Sequence, residues 1–348
     1  MKPVFYTISI LFSLLIISNH LFAETRTVDN KVNSAAQYTS VQAAIDDANP
    51  GDSILVAGSP TSYGNIIVNK ELTIIGNGYR VNSTFDYRTQ LSQVTFNDDS
   101  YPDDPTDSYI AGFYISSYTT FNYGLNILME RCYTTGIYID NGNVSLTIRN
   151  VINNSFLYMY PDVDEQVTIE NSILMNGVYN TNATSLLVID HCMFLNGALQ
   201  YSDLRSILIK NSIAYGIAVS GGLDVTFSNN MAYVEGSSTT FEVSGSGPNY
   251  GGSNQENVDP MFTDIQNISF DWNNDYTIQA GSPALTAADD GGEIGIYGGA
   301  YSFPVGGTGS YYMAAQPQSP LITEMNIENP SVAENGTLNV NIKATKKD

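Results

Sequence analysis

Cations are scarce in this chain. Its 348 residues carry 13 Lys and Arg against 35 Asp and Glu, a formal charge of −22. Affinity for a phosphate backbone needs clustered positive charge, so nucleic acid is excluded as a partner. Histidine is almost missing too, with only His20 and His191. If His20 leaves with an export leader, chemistry that needs two histidines, including most zinc sites, is ruled out. Charged residues make up only 14% of the composition and Trp occurs once, so polarity must come from Asn, Ser, Thr, Gly and 24 Tyr. That balance favours strands over helices and predicts an all-β chain.

Long hydrophobic runs are also lacking beyond the N-terminus. There, Lys2 precedes a nearly unbroken apolar run from Ile8 to Ile17, and Leu21-Phe22-Ala23 offers a small residue at a cleavage point. Residues 1–23 therefore read as a signal peptide, too short to cross a bilayer comfortably. No later stretch approaches 18 apolar residues, so the mature chain is expected to have no transmembrane span and to be secreted or held in the cell envelope, extracellular or periplasmic. Neither cysteine lies near the cut, so a diacyl-lipid anchor is not expected.

The middle of the chain repeats. Taking Arg131, Asn150, Asn171, His191, Asn211 and Asn229 as anchors, the spacings are 19, 21, 20, 20 and 18. A period near 20 that tolerates slips of one or two residues marks a solenoid, because each unit is too short to bury its own face. Two residues before each anchor stand Met129, Ile148, Ile169, Ile189, Ile209 and Phe227; four before stand Ile127, Leu146, Val167, Leu187, Ile207 and Val225. Apolar residues at alternate positions give a strand with one buried face. Apolar character resumes two residues past each anchor, with Tyr133, Ile152, Ile173, Met193, Ile213 and Met231. Strand, tight turn and strand, one coil per period, predict a parallel β-helix in which Asn takes the left-handed turn position. Cys132 and Cys192 both follow an anchor but lie three coils apart, about 14 Å at the strand spacing. A disulfide needs Cα atoms within about 7 Å, so two free thiols are expected.

A family resemblance rests on residues outside the repeat. Tyr38-Thr39-Ser40-Val41-Gln42-Ala43-Ala44-Ile45-Asp46, Asn49-Pro50-Gly51-Asp52-Ser53-Ile54 and Leu72-Thr73-Ile74-Ile75-Gly76 resemble the N-terminal cap of pectin-lyase-like right-handed β-helix proteins. Thr39 and Gln42 read as a capping box for a short helix with Val41, Ala44, Ile45 and Ala48 on its apolar face. Such a helix would cover the open end of the solenoid. Asp259-Pro260-Met261-Phe262, Asp275-Tyr276-Thr277-Ile278-Gln279, Ser282-Pro283-Ala284-Leu285 and Ile294-Gly295-Ile296-Tyr297-Gly298 look like closing coils of bacterial exported β-helix proteins. The resemblance implies a right-handed parallel β-helix over residues 24–300. A Gly/Pro linker would come next over 301–320, then a short C-terminal β tail over 321–348, where a sorting or attachment role is open.

The resemblance includes polysaccharide lyases and glycosidases, yet the catalytic inventory is thin. Val188-Ile189-Asp190-His191-Cys192 resembles a strand motif of pectate lyases, but the arginine-containing partner motif is absent, as are the clustered aspartates and Gly-His-Gly of polygalacturonases. His191 reads first as a turn residue replacing Asn. The column before the anchors, Glu130, Arg149, Glu170, Asp190 and Lys210, should point outward and pair as Glu130–Arg149–Glu170 and Asp190–Lys210, a solvated charge ladder. Its alternative role is a site in which Arg149 or Lys210 is the base and Asp190 a partner, with Glu170 contributing to sugar binding. Tyr138, Tyr158 and Tyr179 follow their anchors by seven or eight residues, where exposed rings could stack on sugars or pack on one another. The acidic loop with Asp98, Asp99, Asp103 and Asp104 offers oxygen ligands that calcium accepts, but it lacks EF-hand spacing, so a solvated insertion is the default and no cofactor is assigned. The favoured reading is a non-catalytic exported β-helix that binds or is presented to extracellular polysaccharide or cell-surface glycan. A lyase or glycosidase acting on the lateral face is the rival.

Overall fold

A computed structural model describes residues 23–80, 87–97, 104–140, 144–160, 166–180, 186–197, 207–217, 225–241, 252–303, 321–327 and 340–345. The leader expected over residues 1–23 falls almost wholly outside them, and so does most of the linker. Alternating apolar residues build two long sheets, one of ten strands from Thr25–Val28 to Val225–Ser228 and one of thirteen from Asn65–Val68 to Gln255–Glu256. The chain alternates between them coil by coil, so neighbours within a sheet are successive coils paired in parallel. This is a parallel β-helix. Met129, Ile148, Ile169, Ile189, Ile209 and Phe227 stack in register and are fully buried. Burying each such side chain contributes roughly 1.5–3 kcal/mol.

The anchors are where the chain changes sheet. Arg131, Asn150, Asn171, His191, Asn211 and Asn229 all have φ between 45° and 58°, the left-handed region that Asn enters more easily than most residues. The next residue turns inward and ties adjacent coils together. Ser172 Oγ accepts from the Val151 amide at 3.1 Å, Ser212 Oγ from the Cys192 amide at 3.0 Å, and Asn230 Oδ1 from the Ser212 amide at 2.9 Å. Cys132 and Cys192 occupy this inner corner, buried and unbonded to each other, as the coil spacing requires. Burial pushes the Cys132 thiol up to about 12 and that of Cys192 higher still.

The N-terminal end is closed by the helix Val41–Asp47, with Val41, Ala44 and Ile45 buried. Its N-cap is Ser40, whose hydroxyl accepts from the Ala43 amide at 3.3 Å, and not Thr39. Gln42 is thereby released from a capping box and does other work. Its side-chain amide pairs with the backbone of Ile67 on the first strand of the second sheet, accepting at 2.7 Å and donating at 3.3 Å. A side chain thus satisfies backbone groups that an edge strand would otherwise leave open.

The opposite end departs from expectation. Residues 258–303 do not add closing coils: Phe262–Asp264 pairs antiparallel with Asp275–Ile278, and among the described residues neither strand joins a solenoid sheet. Instead the segment folds back along the outside. The cause lies in the column two residues past the anchors, which does open the strands of the second sheet but faces outward. Ile152, Ile173, Met193, Ile213 and Met231 form a second core with Phe262, Tyr276, Ala284, Ala288, Ile294, Ile296 and Phe303. The C-terminal tail pairs Leu321–Ile327 with Val340–Thr345 as an antiparallel hairpin. No helix among the described residues is long and apolar enough to cross a membrane.

Candidate functional site

The charge column and the anchor turns lie beneath this returning strap. Arg149 pairs in register with Glu130 and Glu170, and Glu170, Asp190 and Lys210 continue the ladder. Two expected ion pairs form: Arg149–Glu170 at 2.9 Å and Asp190–Lys210 at 3.0 Å. The Glu130–Arg149 pair does not. Arg149 turns both Nε and Nη2 to Glu170 and lies 3.4 Å from the centre of the Tyr301 ring, while Glu130 accepts from the Tyr109 hydroxyl at 2.6 Å. The column is not freely solvated, because the strap supplies partners to it. Lys210 also reaches Asp289 at 3.3 Å.

The anchor asparagines latch the strap down. Asn150 Nδ2 donates to the Tyr301 carbonyl at 2.8 Å, and Asn171 Nδ2 donates to the carbonyls of Ile296 at 3.0 Å and Gly298 at 2.8 Å. Asn211 accepts from the Asp289 amide at 2.9 Å, and Asn229 donates to the Ala287 carbonyl at 3.2 Å. Asn tolerates the turn and carries both a donor and an acceptor, so at Asn150, Asn171, Asn211 and Asn229 one residue type both shapes the coil and holds the strap.

The proposed catalytic groups are committed to the same lock. Burial alone would raise the Asp190 carboxyl, but hydrogen bonds from His191, Lys210 and Asn211 outweigh it and hold it at about 2. It therefore has no proton to donate near neutrality. Burial would lower the Lys210 ammonium, yet Asp190 and Asp289 keep it above its ordinary value, the wrong direction for a base. His191 sits at φ 50° as a turn residue, its Nδ1 2.8 Å from Asp190 and its ring packed beneath Gly298 and Gly299.

A second constellation lies on the outer face of the second sheet. Tyr138, Tyr158 and Tyr179 share one register column and all are half-buried. Their rings stack on each other, Tyr138–Tyr158 with centroids 5.3 Å apart and 13° between planes, Tyr158–Tyr179 at 4.5 Å and 7°. Tyr118 meets Tyr138 edge-on at 5.3 Å, and Phe156 and Tyr160 flank Tyr158. Of the two readings of the tyrosines, mutual packing is the one observed. Ring faces along the column are used in mutual packing, and ring edges and hydroxyls are what the surface offers. Tyr118, Tyr160 and Phe156 escaped the column reading. A bulge between Thr134 and Gly136 puts Tyr118 opposite Gly136, whereas Phe156 and Tyr160 were visible as the same-face neighbours of Tyr158 at two residues either side.

Of the acidic loop, Asp98, Asp99 and Asp103 lie outside the described residues. Asp104 is a turn acceptor, taking the Thr106 amide at 2.7 Å. No cluster of three or more His, Cys, Asp or Glu suited to a metal occurs among the described residues. Cations outside the column are engaged as well: Arg26 with Glu24, Asp47 and Asp52, Lys31 with Asp29, Lys70 with the Ala48 carbonyl, Arg80 over Trp272 and Arg88 over Tyr114. Comparison with known protein families and with curated proteins finds no match to the chain.

Proposed function

We propose that the chain is an exported, non-catalytic β-helix protein of the pectin-lyase-like type, whose outer tyrosine face binds neutral extracellular or cell-surface glycans. The observation that carries the reading is the continuous face of Tyr118, Tyr138, Tyr158, Tyr179, Tyr160 and Phe156, left uncovered by the strap along one side of a rigid sheet. Phenol hydroxyls and ring edges suit sugar hydroxyls and C–H groups, and a rigid platform loses little conformational entropy on binding. Charge narrows the ligand class. A polyuronate would meet a chain of formal charge −22 in which Arg26, Arg149 and Lys210 already have carboxylate partners, so neutral glycans fit and polyanions do not. Arg149, Lys210 and Asp190 serve the strap, which supports binding over turnover.

Calorimetry against neutral glycans and polyuronates, with and without calcium, tests this. Binding is expected for at least one neutral glycan, weakened about tenfold by Tyr158→Ala or Tyr160→Ala, a loss of roughly 1.4 kcal/mol. New unsaturated or reducing ends that vanish in Arg149→Ala or Lys210→Ala would overturn the non-catalytic reading, and binding restricted to polyuronates would overturn the ligand class.

A further inference from the structure

The stacked tyrosines have a chemical property that does not depend on glycan binding. Phenols couple oxidatively when two rings in contact each lose one electron and one proton. In the described structure Tyr158 and Tyr179 lie on adjacent strands in direct register, with centroids 4.5 Å apart and planes within 7°. Both are half-buried, so part of each ring stays open to a small oxidant. Tyr138 extends the stack on the other side of Tyr158, so a radical formed anywhere in the column has a neighbouring phenol within contact distance.

A second close pair supplies an internal comparison. Tyr114 and Tyr133 stack at 4.9 Å and 6°, but the Arg88 guanidinium covers Tyr114 at 3.6 Å and Trp272 packs against Tyr133 at 5.8 Å. Burial also pushes the Tyr133 phenol up to about 12. Stacking geometry alone would make the two pairs equivalent; the guanidinium and the indole packed on the second pair separate them, because a positive charge over a ring opposes its oxidation.

We propose that Tyr158 and Tyr179 form an oxidative cross-linking site, at which a peroxidase working with hydrogen peroxide joins two adjacent coils through a dityrosine bond. Each phenol yields one electron and one proton, and the two phenoxyl radicals join at their ortho carbons. Each ring then returns to the aromatic phenol by moving its ortho hydrogen to oxygen. Two tyrosines and one peroxide give one carbon–carbon bond and two waters. The product is a covalent staple between neighbouring coils in a solenoid whose two cysteines are unpaired.

The test is to treat the full-length protein with peroxidase and peroxide, isolate monomer by gel filtration, and read dityrosine fluorescence and the loss of two hydrogens by mass. No Lys or Arg lies between Arg149 and Arg205, so trypsin leaves both rings in one peptide; cleavage after Glu165 and Glu170 separates them. The expected result is monomer whose two peptides remain joined through Tyr158 and Tyr179. In Tyr179→Phe, which keeps a stacking ring, the joined peptides are lost and monomer fluorescence falls to that of the protein oxidised after unfolding. Coupling found only between molecules, led by Tyr114–Tyr133 or another pair, unchanged in Tyr179→Phe, or absent where free tyrosine couples would each overturn the proposal. Glycan binding is measured separately, so the failure of one reading leaves the other standing.

Discussion

Replacing Asn171 tests the strap and the turn together. The residue is 2% exposed, sits at φ 45°, and sends its amide to two strap carbonyls at 3.0 and 2.8 Å. Asn171→Ala removes both bonds; the Gly298 carbonyl loses its side-chain donor, costing about 1–3 kcal/mol, while the Ile296 carbonyl keeps the Phe303 amide and loses only its second bond, about 1 kcal/mol. It also places a Cβ-bearing residue without Asn's tolerance in the left-handed region, costing about 1 kcal/mol more. The expected total is about 3–5 kcal/mol. Asn171→Gly loses the same bonds but enters that region freely, so it should cost about 1 kcal/mol less. The chain's single Trp makes the assay direct: Trp272 lies against Phe270 at 4.8 Å, Tyr133 at 5.8 Å and Tyr79 at 6.0 Å, so its fluorescence reports release of the strap during urea titration. Equal losses in the two variants would refute the turn contribution. A loss under about 1 kcal/mol in both would refute the latch, since two buried bonds cannot be worth so little.

Acid should loosen the strap before it unfolds the solenoid core. Asp190 is held at about 2 by His191, Lys210 and Asn211, below the roughly 3.9 of an unperturbed Asp, so its contribution is full above about pH 4 and lost as pH falls through 2. The Trp272 signal should therefore change between pH 4 and pH 2, and Asp190→Asn should flatten that step; an unchanged profile would sink the assignment. Gly298→Ala should prevent closure, because its Cβ would overlap the Glu293 carbonyl oxygen and lie 2.6 Å from His191 Cδ2. A loss of at least about 2–3 kcal/mol is expected, against about 1 kcal/mol for Gly291→Ala, whose Cβ meets nothing within 4 Å and whose cost is its left-handed φ of 81° alone. Urea titrations that ranked them the other way would place the strap wrongly.

The repeat was legible because stacking imposes it residue by residue. A coil that must present Ile148 over Met129 and under Ile169 cannot hide its period, and a turn that needs positive φ favours Asn at every return. The returning strap was less legible, since an apolar residue at Ile173 or Met193 reads the same whether it faces the interior or an outer cover. Alternation gives the face of a side chain only once the turn geometry is known, and a residue turned inward at the corner, such as Ser172, shifts the facing of the next strand by one. The charge column was placed correctly and its environment misjudged. Nothing local to Arg149 announces that Tyr301, far along the chain, will lie over it. The tyrosine register likewise emerged from the spacing, whereas the ring stacking depends on side-chain angles that no spacing encodes.

The strap sets an order of events during synthesis. Coils pair with neighbours about 20 residues away, so each can form as soon as the next is made, but the strap joins Asn150 to Tyr301 across 151 residues and Asn171 to Gly298 across 127. These closures come last on the growing chain and are the slowest by contact order. Until then the column from Ile152 to Met231 stands bare on a finished sheet, and a nascent chain halted before residue 258 presents that surface to its neighbours. Once shut, the same segment couples coils that otherwise sense only the next one, so a solenoid expected to fray unit by unit should melt over this stretch as a block.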